Sequence, residues 1–212
     1  MALPGTADGA PVFLEGVTTV GGVRDLLFVT TTAGHIVAID AGSGATVWSH
    51  QYSGAGYTTS SPAIDPNRQY VYSYGLDGYV HKYQVGDGTE IKIAGWPQLA
   101  TLKGGVEKGS SALSFATSGG IHYLYMTHGG YPGDNGDYQG HVTAIDLGNG
   151  SQTVFNAACS DKTLHLQFYA PPVNPTTCAS VQNAMWSRPG VIYDAMVPIA
   201  FSWVRATRSP LG

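Results

Sequence analysis

One pattern recurs three times in this chain and restricts its fold more than any other feature. It runs Gly34-His35-Ile36-Val37-Ala38-Ile39-Asp40-Ala41-Gly42-Ser43-Gly44-Ala45-Thr46-Val47-Trp48, and returns from Gly78 to Gly88 and from Gly140 to Gly150. Two positions after the first Gly of each copy stands a β-branched residue: Ile36, Val80 and Val142. Five positions on stands a large one, Ile39, Tyr83 or Ile145, and ten on another Gly: Gly44, Gly88 or Gly150. An apolar run that turns at a Gly corner and leaves as a second extended segment reads as strand, tight turn, strand. The closing Gly supplies the positive φ that such a corner needs. Asp40 and Asp146 end the run where an Asx side chain can bond the turn amides, and Gln84 takes that place in the second copy.

The first two copies begin 44 residues apart and the next two 62 apart. A period near 44 is the length of a four-stranded propeller blade. Strand-like segments precede each copy: Leu27-Phe28-Val29-Thr30, Val71-Tyr72-Ser73-Tyr74 and Leu124-Tyr125-Met126-Thr127. The longer third interval divides into two insertions, one around Trp96 to Lys108 and one in the loop His128 to Gln139. Ala10-Pro11-Val12, Ser61-Pro62-Ala63, Ser111-Ala112-Leu113 and Arg188-Pro189-Gly190 read as successive blade openings, because a strand's first residue need not donate to the ladder. The expected architecture is an all-β propeller of four-stranded antiparallel blades at 10–52, 57–100 and 109–156, with the opening strand of a fourth at 186–194. Ile36 and Ala38 face one way and Val37 and Ile39 the other, so the third strand of blade 1 is expected between two layers. Lys92 stands where Trp48 would be and Trp96 follows, so the last strand of blade 2 is expected to be lengthened or shifted.

The sequence Gly, apolar run, Ala-x-Asp, Gly-x-Gly, Trp resembles the repeat of the pyrroloquinoline-quinone-like (quinoprotein alcohol dehydrogenase-like) β-propellers, over residues 10–194. That family contains quinone-dependent dehydrogenases and also repeat proteins that bind no quinone and act as scaffolds or assembly factors. In the dehydrogenases the resemblance implies a quinone (PQQ) on the propeller axis beside a calcium ion, a catalytic Asp, a Trp platform and a disulfide between adjacent cysteines. No Asp or Trp of this chain matches those roles residue by residue, so no catalytic residue is assigned, and PQQ is expected only if a full ring carries the site. The resulting expectation is a periplasmic or secreted, non-catalytic binding or scaffold module with a protein or glycan partner, approached through Tyr131, Tyr138 and Tyr169. The alternative is a fragment of a PQQ-dependent dehydrogenase that oxidises alcohols or sugars.

Composition agrees with an all-β fold: 29 Gly, 13 Tyr and 11% charged residues in 212, with no sustained helical period. A net charge of −4 gives no basic footprint for nucleic acid. There is no run of ~18 apolar residues to form a transmembrane helix, and Met1 to Gly5 has neither the basic start nor the apolar core of a signal peptide. Neither a Gly-x-Ser-x-Gly nucleophile motif nor a metal-protease histidine pair occurs.

Asp134, Asn135 and Asp137, in the insertion His128 to Gln139, offer oxygen ligands for a hard cation such as Ca2+. The competing reading is a solvated Gly-rich loop whose acids cap its own turns. Cys159 and Cys178 bracket a Pro-rich stretch and are expected to form a disulfide, worth roughly 3 kcal/mol through loop closure and implying an oxidising compartment. Two free thiols are the alternative. His35 and His141 share a repeat position, which favours a structural role at a strand start, and His122, His128 and His165 have no ligand spacing. Residues 195–212 match no part of the repeat and are expected to be a truncated or frame-shifted end, a helix-like cap being the alternative. Three blades and one strand leave two faces open, so an isolated chain is expected to self-associate.

Overall fold

The computed structural model describes residues 2–194. They form three antiparallel sheets, each a meander in chain order, and contain no helix. The first sheet comprises β1 (Val12–Thr19), β2 (Gly22–Thr30), β3 (His35–Asp40) and β4 (Thr46–Gln51). The second comprises β5 (Ala63–Ile64), β6 (Tyr70–Tyr74), β7 (Tyr79–Gln84) and β8 (Gln98–Leu99). The third comprises β10 (Ser114–Ser118), β11 (Ile121–Gly130), β12 (His141–Asp146) and β13 (Gln152–Asn156), with β9 (Glu107–Gly109) paired to the far end of β11. These are propeller blades, and among the described residues they do not close a ring.

The repeat acts as its spacing requires. Asp40 Oδ1 accepts the amides of Gly42 (2.8 Å) and Ser43 (3.1 Å), and Asp146 Oδ1 accepts that of Gly148 (2.7 Å). An ionised carboxylate that accepts turn amides holds its own corner, and these bonds with the Arg24 guanidinium hold Asp40 below the usual carboxylate range. Equivalent rows run across the three sheets. Phe13 pairs with Leu27 and Leu27 with Ile39; Ile64 pairs with Val71 and Val71 with Tyr83; Phe115 pairs with Leu124 and Leu124 with Ile145.

Two cores lie between the blades. Leu14, Leu26, Phe28, Ile36, Ala38 and Trp48 of blade 1 pack on Val71 and Tyr83 of blade 2. Tyr72, Tyr74, Val80 and Trp96 of blade 2 pack on Leu113, Leu124, Met126 and Ile145 of blade 3. Burying each such side chain contributes about 1.5–3 kcal/mol, so the interfaces hold the stack together. Ile36, Val37 and Ala38 are all buried, as expected of a strand between layers.

Several expectations are corrected. The last strand of blade 2 is shifted and short: Glu90 makes one bridge to Tyr83, then residues 91–97 loop out before β8. Blade 3 opens at Ser114, three residues later than the Pro-like alignment suggested, and the first insertion supplies β9. No strand forms over 186–194. Ser187 makes a single parallel bridge to Ser111, Ser114 Oγ donates to Val191 O (2.8 Å), and Tyr193 donates to Ser118 Oγ (3.1 Å). The segment lies beside β10, where the opening of a fourth blade would lie, but no described hairpin partner pairs with its other edge. Met185 and Val191 pack on Val142, so the outer face of blade 3 is partly covered by its own chain rather than fully open. The expected end at 195–212 lies outside the described residues.

Candidate functional site

The rim where successive blades begin carries a cleft of about 460 Å³. Each opening contributes to it: Asp8 ahead of blade 1, Tyr57 and Thr59 ahead of blade 2, Lys108 and Ser110 ahead of blade 3, and Trp186 and Arg188 from the fourth segment. The openings are held side by side by backbone bonds, Thr59 N to Gly109 O (3.2 Å) and Leu113 N to Ser61 O (3.1 Å). The insertion of blade 3 adds Tyr131 and Tyr138.

Aromatic rings and ion pairs alternate around this cleft. Tyr57 and Tyr131 meet at a ring-centroid distance of 5.4 Å, and Lys108 Nζ lies 4.8 Å above the Tyr57 ring. Burial pulls the Lys108 ammonium below its usual range, with Asp8 opposing and Arg188 adding to that shift. Arg188 donates both Nη atoms to Asp8 Oδ1 at 3.1 Å and Nη1 also to Asp8 O at 2.7 Å. Tyr131 is fixed by its hydroxyl, 3.1 Å from the carbonyls of Ala55 and Gly104, and burial pushes that hydroxyl up to about 12. The ring lies over Gly56, whose φ is +79° and where a Cβ would stand 2.3 Å from Tyr131 Cζ. Trp186 is 43% exposed and forms the open wall.

Beneath the cleft lies a buried polar cluster. Lys103, from the link between blades 2 and 3, places Nζ 3.2 Å from Glu107 Oε1, 3.4 Å from Asp137 Oδ1 and 2.8 Å from Asp137 O. Glu107 also accepts the Gln139 amide (2.8 Å) and the Thr101 hydroxyl. The excursion after blade 3 closes onto the same cluster: Tyr169 N donates to Asp137 Oδ2, and Gln139 Nε2 reaches Cys178 O (3.3 Å). Cys159 and Cys178 are bonded to each other, with Cα atoms 6.2 Å apart, so the free-thiol alternative is set aside.

The acidic loop residues are spread over separate partners. Asp134 Oδ1 accepts the Tyr138 hydroxyl (2.6 Å), Asp137 is committed to Lys103, Gln139 and Tyr169, and Asn135 faces solvent. Among the described residues no group of three or more His, Cys, Asp or Glu is placed to hold a metal ion. Chain spacing did not reveal that His128 stacks on His141 at 4.3 Å, with His165 edge-on to His141 at 5.5 Å. Nor did it reveal Lys103, Glu107, Lys108, Trp186 or Arg188. The signal for the last three was present, because the aligned openings place the residues around them on one rim. Tyr169 of the expected partner-facing set is drawn into the cluster through its backbone, while Tyr131 and Tyr138 do line the cleft.

A PQQ-repeat family model described as outer membrane protein assembly factor BamB matches residues 6–163. The chain belongs to this family. Among curated proteins nothing matches. Solved structures similar to this member of the family include quinohemoprotein alcohol dehydrogenases from Comamonas testosteroni (17% identity, TM-score 0.53) and Pseudomonas putida HK5 (16%, 0.54). A europium-containing methanol dehydrogenase is similar at 17% identity and a TM-score of 0.51. These matches cover 73%, 74% and 76% of this chain but only 21%, 22% and 28% of the respective structures. At such identities they establish the propeller fold alone.

The described donor set does not fit a quinone with its calcium. The two carboxylates at the cleft, Asp8 and Asp134, are committed to Arg188 and Tyr138, and the disulfide joins cysteines 19 residues apart rather than adjacent ones. No step is derived through that group.

Proposed function

We propose that this chain forms part of an extracytoplasmic PQQ-type propeller that serves as a non-catalytic binding or scaffold module, with the cleft at the blade openings as its contact site for a protein or glycan partner. The observation that carries this reading is the cleft's make-up: rigidly anchored aromatics and an ion pair on the ends of packed strands. Tyr and Trp with a flanking Arg are the side chains that anchor partners at interfaces. The family description, an outer membrane protein assembly factor, supports a protein partner and an extracytoplasmic address. The Cys159–Cys178 disulfide supports the same address, since such bonds persist in oxidising compartments.

The second reading, a piece of a quinone-dependent dehydrogenase acting on alcohols or sugars, is favoured by the similarity to quinohemoprotein alcohol dehydrogenases. One experiment separates the two. The protein is supplied with pyrroloquinoline quinone, Ca2+ and a panel of alcohols and sugars, and reduction of an electron-acceptor dye is followed. No reduction above the quinone-free control from an intact ring supports the scaffold; dye reduction that depends on quinone and substrate overturns it. The address is tested by thiol alkylation in cells, where the scaffold reading expects Cys159 and Cys178 to resist labelling until a reductant is added.

A further inference from the structure

The three blades present equivalent faces to whatever precedes them. In blade 2 the row Ile64, Val71, Tyr83 and the corner Gly88 meet blade 1; in blade 3 the row Phe115, Leu124, Ile145 and the corner Gly150 meet blade 2. Val71, Tyr83, Leu124 and Ile145 are each fully buried there, at 0% exposure. Each corner Gly also receives a planar side chain from the last strand of the preceding blade. At Gly88 a Cβ would stand 2.6 Å from the Trp48 indole, whose Nε1 donates to Val85 O at 3.0 Å. At Gly150 a Cβ would stand 2.3 Å from the Gln98 carboxamide.

Blade 1 carries the same set, Phe13, Leu27, Ile39 and Gly44, and nothing described covers it. Phe13 is 54% exposed, Leu27 and Ile39 are half-buried, and no atom lies within 4 Å of a Cβ at Gly44. Val23, which lies on the same face of β2, is 72% exposed.

We infer that this face of blade 1 is a docking surface for one further four-stranded blade of the propeller, whose last strand places an indole or a carboxamide on Gly44. The two internal interfaces define the partner's chemistry. It presents an apolar row like Leu26 and Phe28 or Tyr72 and Tyr74, and a planar donor that reaches the carbonyl of Ala41, the equivalent of Val85. A second copy of this chain does not supply it from blade 3. The outer face there is covered by Met185 and Val191, and Val154 stands at the repeat position of Trp48.

The test is site-specific photocrosslinking of the full-length protein in the cells that make it. Benzoylphenylalanine replaces Phe13, and crosslinked peptides are identified by mass spectrometry. A crosslink to a strand segment that carries Trp or Gln after a Gly-cornered hairpin is the expected result. The same probe at Val20, exposed but off this row, should give no such crosslink. A crosslink to the equivalent position of a second copy, to a protein without propeller repeats, or to nothing at all overturns the proposal. The variant G44N guards against simple misfolding, because Asn tolerates the left-handed corner and nothing crowds its side chain. It should leave melting of the described blades unchanged while the Phe13 crosslink falls about tenfold. An unaltered crosslink in G44N would remove Gly44 from the docking position.

Discussion

The ammonium of Lys103 stands 3.4 Å from Oδ1 of Asp137, although 34 residues separate the two along the chain. Both Lys103 and Glu107, its second partner, are almost wholly enclosed, with side chains 1% and 2% exposed. Removing one member of such a cluster leaves buried charge without compensation. Lys103→Met should therefore destabilise the protein by about 3–5 kcal/mol, read as a drop in urea midpoint at unchanged slope.

Because Asp137 already has its cation, a hard metal at the acidic loop has little left to bind. Adding millimolar Ca2+, or removing it with a chelator, should shift the melting temperature by less than about 1 °C. A shift of several degrees that saturates with Ca2+, and that Asp134→Asn abolishes, would restore the loop as a cation site.

Acid should weaken the fold through its buried histidines. Burial, with His141 and His165 as neighbours, holds His128 well below its usual range, and both its ring nitrogens lack a hydrogen-bond partner. His165 is lowered to about 3, by burial first and His141 next. Tyr74 lies edge-on to His128 and provides no charge to offset protonation. Both folded-state values lie below the unfolded one, so the unfolded chain binds protons first as pH falls. Stability is full above about pH 6.5 and is lost progressively below it, by roughly 2 kcal/mol per histidine at pH 5. Chemical unfolding at pH 7.5 and 5 measures this, and His165→Gln should remove about half of the difference.

The Trp48 contact separates packing from backbone strain. Gly44 and Gly88 share a φ of +72°, so an added methyl costs each about the same conformational energy, roughly 1–2 kcal/mol. Only at Gly88 does the methyl also meet the Trp48 indole. Gly88→Ala should therefore lower stability by about 1–3 kcal/mol more than Gly44→Ala, and equal losses would show that the indole moves aside freely.

Reduction of the Cys159–Cys178 bond frees a 19-residue loop whose backbone at Tyr169 and Cys178 binds the polar cluster. Loss of about 3 kcal/mol is expected, as a lower denaturant midpoint in reductant or in Cys159→Ser/Cys178→Ser.

What the chain's letters disclose follows physical range. The hairpin corners were legible because Gly and Asp act within a few residues of themselves, as Asp40 does on Gly42 and Ser43. Trp48 was legible as a strand's end, but not as the cover of a corner 40 residues away. Blade 2 departed because Lys92 removed the marker that fixes the last strand, and Trp96 settled instead against Tyr72 at 5.1 Å. The opening cleft stayed hidden because Asp8, Lys108 and Arg188 share no motif and meet only when successive sheets start from one rim. The disulfide was readable because its two cysteines leave no other choice, whereas the histidine stack needs the register of β11 on β12, which pairs His128 with His141.

The segment that carries Met185 and Val191 has a further effect on how this molecule can grow. Head-to-tail addition, the route by which repeated units build filaments, needs a free donor face and a free acceptor face on every subunit. Here one side is shielded by the molecule's own strap and the other is bare. Such a subunit can be joined once and then stops: the strap is a built-in terminator, and it protects a chain of edge-rich sheets from open-ended polymerisation.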